Sequence, residues 1–396
     1  MGTIPRVAFF TDAFHEATGV GTLSREFEYF ARRHQLPFFS VHAGPVTELK
    51  PEGSVTELEL RRSPLAFLLD HDLRCDPFLT RYKDFVLGEL SSFKADLVHI
   101  TGPGDLGILG AWIAHDLRVP LVASWHTNLQ EYAQKRLYKS LEWLPENLRR
   151  SISSAAESGC MRALMLFYAM GRLLMAPNQE TCDLLEQRTG KPAVLMGHGV
   201  DLELFHPARR ARQDSLFTLG YVGRITPEKN VRALADIEQA LLRLGMRNFR
   251  IVVVGRGSEE HWLKAHLRHA AFTGTLRGTE LARAFAAMDV FVFPSTTDTF
   301  GLVILEAMAS GVPAIVSPGG GPQHQVTEGQ NGFVAATPEE FAERILALKN
   351  DPCLLARMRE AARHHACCAS WDTVFSPVYA TYRMLLRGGI SRAPGE

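Results

Sequence analysis

The stretch DVFVFPSTTDTFGLVILEAMASGVP, Asp289–Pro313, carries the fold in miniature. DVFVFPS is a short apolar run of strand composition, TTDTFG breaks it, and LVILEAMAS repeats apolar residues at helical spacing. A strand, a turn and a helix in that order are the repeating step of an α/β domain. Two acids bracket the helix start: Asp298 lies before it, and Glu306 lies one turn beyond Leu302 on the same side.

The same alternation runs along the chain. RVAFFTD, LPFFSVHAG, ADLVHIT, PLVASWHT and LLMAP read as strands in the first half, and FTLGYVGR, FRIVVVGRG, AAFTG, DVFVFPS and PAIVSP in the second. Near-continuous apolar strands separated by longer helical patterns imply parallel sheets covered on both faces. The 396 residues exceed what one core usually serves, so two domains are expected. DLELFHPARRARQDS, Asp201–Ser215, is polar, basic and proline-containing, as inter-domain connections are. It places a first domain at 1–205 and a second at 206–374. The amphipathic stretch SWDTVFSPVYATYRMLLRG follows the second sheet, and a helix over about 375–396 is expected to return to the first domain. Ligands of open parallel sheets sit beyond the C-terminal strand ends, so two facing Rossmann-like domains would hold a donor cleft between them.

Composition narrows the class. Formal net charge is +0 and charged residues make up 22%, which gives no footing for a nucleic-acid partner. MGTIPR passes directly into the strand VAFF without a leader pattern, and Arg6 stands where a myristoylation signal needs Ser or Thr, so a cytoplasmic protein is expected. MRALMLFYAMGRLLM, Met161–Met175, is bracketed by Arg162 and Arg172 and is expected as a buried helix. The six cysteines show no paired CxxC spacing and are expected to be reduced, the adjacent Cys367 and Cys368 as ordinary positions on a C-terminal helix.

Four loops have the makings of a ligand site. YVGRITPEKNVRAL leaves a strand through Gly223 and is expected to start a helix with Thr226 as N-cap and Pro227 at the first position. Lys229 would then oppose the helix dipole unless an anion lies near, and Arg224 with Lys229 would clamp a diphosphate. Two solvated surface cations are the alternative. In the second loop, the backbone N–H groups of Gly301, Leu302 and Val303 would sit at a helix N-terminus, ready for phosphate or hydroxyl oxygens. Asp298 could otherwise be an N-terminal charge and Glu306 a solvated face, but Glu306 lies amid LVIL and AMAS, where a carboxylate is rarely buried without a partner. In the third loop, GVGTLSREFEYFARR, Gly19 and Gly21 let a helix N-terminus approach a ligand, although the third glycine of a dinucleotide fingerprint is missing. In the fourth, SWHTNLQEYA, His126 leaves a strand toward the expected cleft, where a functional role and a structural one weigh equally.

With GRITPEKN followed by DTFGLVILEAMASG, the sequence resembles the retaining glycosyltransferases of family 4, which have the GT-B fold; GHGVDLELFHP, FTGTL and SWDTV are further matches. The acid of TDTFG is similar to that of GDP-mannose-dependent α-mannosyltransferases. The resemblance implies that Arg224 and Lys229 hold the donor diphosphate and Glu306 the nucleotide ribose. It implies that Asp298 meets hydroxyls of the transferred hexose, mannose or glucose, helped by the backbone of Phe300, Gly301 and Leu302. His126 would lie near the reacting centre, Gly19 and Gly21 near the diphosphate, and Leu276 near the base. Two departures stand out: the family often has a Glu where this chain has Asp298, and an acid after the Gly-Gly-Pro run where this chain has Gln323 and His324.

The activity implied is transfer from a GDP- or UDP-linked sugar to a hydroxyl acceptor on a lipid or glycan, with no cofactor and no metal. The cations and helix N-terminus would stabilise the departing diphosphate. DHD, Asp70 to Asp72, is a metal-type triplet far in sequence from those loops. Retention would follow from front-side attack, the leaving phosphate taking the acceptor's proton. The rivals are a nucleotide-sugar epimerase or phosphorylase on the same fold, and a non-catalytic sugar-nucleotide-binding protein. QKRLYKSLEWLPENLRR, Gln134–Arg150, is basic and amphipathic; it reads either as an ordinary surface helix or as a segment resting on the anionic inner face of a membrane.

Overall fold

The structure is a computed structural model that describes residues 4–16, 18–68, 74–126, 141, 143, 145–211 and 214–389. Most of the basic amphipathic stretch, including Lys135, Arg136 and Lys139, and all of the DHD triplet lie outside the described residues. The chain divides into two compact units, 1–198 with 371–396, and 199–370.

The strands of the first unit are β1 (Val7–Thr11), β2 (Phe38–Gly44), β3 (Glu48–Glu52), β4 (Val55–Arg61), the short pair β5 (Phe67–Leu68) and β6 (Arg74–Cys75), β7 (Leu97–Ile100), β8 (Leu121–Ser124), β9 (Leu173–Ala176) and β10 (Ala193–Leu195). Its helices are α1 (Gly19–Arg33), α2 (Lys83–Phe93), α3 (Asp105–Leu117), α4 (Glu146–Tyr168) and α5 (Gln179–Thr189). The main sheet runs β10-β9-β8-β7-β1-β2-β4-β3, parallel except for β3, which pairs antiparallel with β4. Alternation along β1 explains why both faces are covered: Ala8 and Phe10 join the core under α3, whereas Val7 and Phe9 join the core under α1.

Residues 199–370 form the second unit. Its strands are β11 (Phe217–Val222), β12 (Phe249–Val254), β13 (Ala270–Gly274), β14 (Val290–Phe293), β15 (Ala314–Val316) and β16 (Gly332–Val334). Its helices are α6 (Ala233–Arg243), α7 (Glu260–His266), α8 (Gly278–Ala287), α9 (Leu302–Ala309), α10 (Pro338–Asn350) and α11 (Pro352–Cys367). The sheet order β13-β12-β11-β14-β15-β16 is the doubly wound order 3-2-1-4-5-6, wholly parallel. Strand order reverses between β11 and β14, so the loops after those two strands flank the crevice such a fold offers to ligands.

Residues 199–205, just ahead of the expected boundary at Phe205, pack with the second unit: Val200 N–H donates to Ala369 O at 2.9 Å, an Arg363 guanidinium N–H to Phe205 O at 2.9 Å, and Phe205 meets Phe285 edge-on. The connection beyond it is also tied down, Arg210 pairing with Asp289 at 2.7 Å. The apolar run 161–175 is not one buried helix: α4 ends at Tyr168, Leu173 begins β9, and Leu166 and Met170 are exposed. Among the described residues no helix is long and apolar enough to cross a membrane.

The last helix, α12 (Trp371–Leu386), starts four residues earlier than expected, with Asp372 in its first turn. It belongs to the first unit, where Phe375 stacks on Phe27 at 4.4 Å and the Tyr382 hydroxyl bonds Nδ1 of the buried His99. All six cysteines are free thiols; Cys367 closes α11 and Cys368 caps it.

Candidate active site

The loop after β11 does not start a long helix. Pro227–Lys229 form a single 3-10 turn, Asn230 takes the left-handed conformation at φ 51°, and α6 begins only at Ala233. A left-handed residue cannot continue a right-handed turn, so Thr226 caps no α-helix and Lys229 faces no helix dipole. Its charge is answered instead by Asp298: Lys229 Nζ donates to Asp298 Oδ1, both groups being largely buried.

The loop after β14 follows the sequence expectation closely. Gly301 caps α9 at φ 81°, a conformation that costs glycine little and other residues more. The first N–H groups of α9 belong to Leu302 and Val303. Phe300 packs on the core of the unit. Thr297 Oγ1 donates to Glu228 O at 2.9 Å and Asn230 Nδ2 to Pro294 O at 3.2 Å, which join the two loops across the strand reversal.

Electrostatics separates the two acids. Burial alone would push the Asp298 carboxyl up, but the Lys229 ammonium beside it, with Arg224 further off, holds it below the usual carboxylate range. Its Oδ2 is buried and has no hydrogen-bond partner. Glu306 is pushed up to about 7 by burial among the apolar residues of α9, and among the described residues its carboxylate has no hydrogen-bond or ion-pair partner. Arg224 Nη2 lies 3.9 Å from Glu228 Oε1. One acid is thus held ionised by a cation, and the other is half-buried and poised between its two states.

The remaining expected residues are spread more widely. Leu276 follows β13, the edge strand, and packs against the unit core. In the first unit, Gly19 opens α1 with no heavy atom within 4 Å of a built Cβ. Gly21 is dictated by its own loop, since a Cβ there would come within 2.4 Å of the Ala13 and Glu16 carbonyl oxygens. His126 follows β8; burial pushes its imidazole down to about 4, and its ring meets that of His198 edge-on at 5.8 Å.

Sequence reasoning missed several supports. Gly321 N–H donates to Asp298 O at 2.7 Å, and the buried Gln325 side chain donates to the carbonyl oxygens of Phe300 and Gly301. The Gly-Gly-Gly-Pro run was the available signal for this brace. Asp12 was also overlooked. At the strand reversal of the first sheet, between β1 and β7, its Oδ1 accepts from Leu106 N–H at 2.8 Å near the start of α3, and burial raises its carboxyl to about 6.

Residues 205–365 match the family described as Glycosyl transferases group 1, and residues 19–204 match Glycosyltransferase Family 4. A GDP-mannose-dependent alpha-mannosyltransferase of Mycolicibacterium smegmatis is 30% identical over 76% of this chain and 76% of its own length. One from Corynebacterium glutamicum is 29% identical over 73% of this chain, the match spanning 65% of that protein, just under two thirds. Among solved structures, the sucrose-phosphate synthase of Thermosynechococcus elongatus superposes with a TM-score of 0.74 at 16% identity, covering 97% of this chain and 100% of that one. This likeness is one of fold.

Proposed function

This chain belongs to the glycosyltransferases of family 4, and on that premise we propose that it moves a hexose from a nucleoside diphosphate sugar to a hydroxyl acceptor. The proposed donor is mannose carried on GDP, in keeping with the two GDP-mannose-dependent alpha-mannosyltransferases among its relatives, with glucose on UDP as the nearest alternative. The acceptor is a lipid or glycan hydroxyl.

The observation that carries the reading is the pair of acids on either side of the start of α9. Glu306 offers a half-buried carboxylate with no partner among the described side chains, suited to a vicinal diol such as a ribose. Asp298 offers Oδ2, buried and unpartnered, suited to a sugar hydroxyl. Lys229, Arg224 and the N–H groups of Leu302 and Val303 supply the positive field a diphosphate needs, both on the ground-state ligand and on the charge that builds as it leaves.

Chemically, the glycosidic bond to the leaving phosphate breaks as positive charge develops on the sugar, and the acceptor oxygen bonds to the anomeric carbon. The acceptor proton passes to the leaving diphosphate, so no covalent enzyme intermediate is invoked and the configuration is retained. The cations named would do this without a metal. His126, neutral because of its burial, would take part through hydrogen bonding rather than as a charge. An epimerase would convert donor with no acceptor present.

The test is transfer from labelled GDP-mannose and UDP-glucose to membrane-lipid and oligosaccharide acceptors without added divalent cations, with the product anomer read by NMR. Product of retained configuration, formed only with acceptor, is expected. Donor epimerised without acceptor, or binding without turnover on any acceptor class, would overturn the reading.

A further inference from the structure

The sheet edge of the first unit carries a cluster that sugar transfer does not use. The parallel pairing of β2 with β4 sets His42 opposite Glu59, and alternation puts His42, Glu57 and Glu59 on the side away from Val41, Leu58 and Leu60, which line the core. His15 reaches the same place from the loop between β1 and α1, its Nε2 3.5 Å from Glu59 Oε2 and its ring edge-on to that of His42 at 4.8 Å. One donor atom from each of His15, His42 and Glu59 lies within 4.8 Å of the others.

A second observation points to a ligand. His42 is fully buried; its Nε2 bonds Glu57 Oε1 at 2.8 Å, and Phe14 stacks on its face at 4.1 Å with the rings 2° from parallel. The other nitrogen, Nδ1, is buried and has no hydrogen-bond partner. With Nε2–H donated to Glu57, Nδ1 carries the free lone pair of the neutral ring. A carboxylate that fixes the tautomer and orientation of an imidazole in this way is the usual support of a metal-bound histidine.

We propose that His15, His42 and Glu59 bind one divalent transition-metal ion, zinc being the best chemical match, with Glu57 as the residue that positions His42. The ligands are Nδ1 of His42, a ring nitrogen of His15 and Oε2 of Glu59. The remaining oxygen of Glu59, Oε1, accepts from Val46 N–H at 3.2 Å. Two imidazoles and one carboxylate favour a borderline metal over magnesium or calcium, which take oxygen ligands. Metal–ligand bonds of about 2.0–2.2 Å set donor atoms roughly 3.3–3.5 Å apart in a tetrahedron. The cluster must therefore close by about an ångström. His15 can supply that movement by rotating, because its side chain is half exposed. The ion would fasten the β1–α1 loop to the β2–β4 edge, independently of the donor chemistry in the second unit.

Cobalt(II) is the probe. Chelator-treated full-length protein is titrated with Co2+ and its visible ligand-field absorption followed, then displaced with Zn2+. One equivalent per chain with the intensity of a four-coordinate site is expected. His15→Ala and Glu59→Gln should each weaken binding at least about tenfold, and Glu57→Gln, which removes no ligand, by about 10–100-fold. His15→Ala deletes a half-exposed side chain, so it tests the site even where changes at the sheet disturb folding. Absence of a bound equivalent in the unaltered protein, or equal affinity in His15→Ala and Glu59→Gln, would overturn the proposal. So would loss of binding on replacing Cys367 and Cys368 by Ser, which would place the ion at those thiols.

Discussion

Lys229 Nζ is hydrogen-bonded to Asp298 Oδ1 across 69 residues of sequence, so one ion pair joins the loops that follow β11 and β14 at the strand reversal of the second sheet. The pair does two things. It lets a carboxylate stay ionised in a buried place, and it holds a cation where the proposed diphosphate would lie.

Breaking the pair from one side should be costly. Lys229→Ala leaves Asp298 buried without its cation and is expected to lower stability by about 3 kcal/mol, as removal of one partner of a buried pair does. Because the folded-state pKa of Asp298 is depressed, its contribution is present above the unfolded carboxylate pKa and lost as pH falls through the folded value. That acid-limb loss should vanish in Lys229→Ala. The double variant Lys229→Ala with Asp298→Asn should recover part of the stability and none of the nucleotide binding. Urea unfolding at pH 3 to 7 with parallel ligand titration checks both, and additive effects of the two changes would contradict the coupling.

Glu306 should reveal itself through protons. Its folded pKa is raised to about 7, so between its unfolded value and pH 7 the native state holds more protons than the unfolded state, and stability contributed by this group falls as pH rises. Glu306→Gln is expected to stabilise the ligand-free protein at pH 8 by on the order of 1–2 kcal/mol. Hydroxyl donors favour the ionised carboxylate, so nucleotide binding at pH 7 should release about half a proton. Calorimetry in buffers of different ionisation enthalpy measures that release, which should disappear in Glu306→Gln.

Gly301→Ala should act through backbone strain. The φ of 81° is unfavourable to a side chain, and a Cβ would come within 3.0 Å of Ile304 Cδ1 and 3.3 Å of Pro322 Cγ. A loss of about 1–2 kcal/mol is expected, with weaker donor binding, because the turn that aims the N–H groups of α9 must shift. Gly388→Ala is the control: φ is similar at 73° but nothing lies within 4 Å of the added carbon, so binding should be unchanged.

Phe375→Ala tests the return of α12 to the first unit. Its ring is fully buried, stacked between Phe27 at 4.4 Å and Trp371 at 5.3 Å. Truncation should cost about 3–5 kcal/mol, read from chemical denaturation. A loss under 1 kcal/mol would show that the helix is held elsewhere.

The parts of the fold legible in the sequence were those where one residue type meets one local demand. VAFF and DVFVFPS could only be buried strands, and the glycine of TDTFG marked the left-handed cap of α9. Residues whose roles depend on distant partners were harder to read. Lys229 looked like a helix-start cation because nothing local shows that Asn230 turns left-handed or that Asp298 lies alongside. Gln325 brings its amide to the loop before α9 only after two strands have formed. Phe205 looked like linker because the Phe285 ring it meets lies 80 positions on. The His15, His42 and Glu59 cluster was equally silent, since three strand and loop positions become neighbours only through the pairing of β2 with β4.

The central claim is that the strand reversal of the second sheet holds a nucleoside diphosphate sugar. The most direct measurement is calorimetric titration of GDP-mannose and UDP-glucose into the protein and into Lys229→Ala. Saturable binding of one donor per chain by the unaltered protein, with a clear preference between the two and at least a hundredfold weaker binding in the variant, is the result predicted from the loss of a buried charge-assisted contact. No binding of either donor, or undiminished binding when Lys229 is replaced in a variant that still folds, would contradict it.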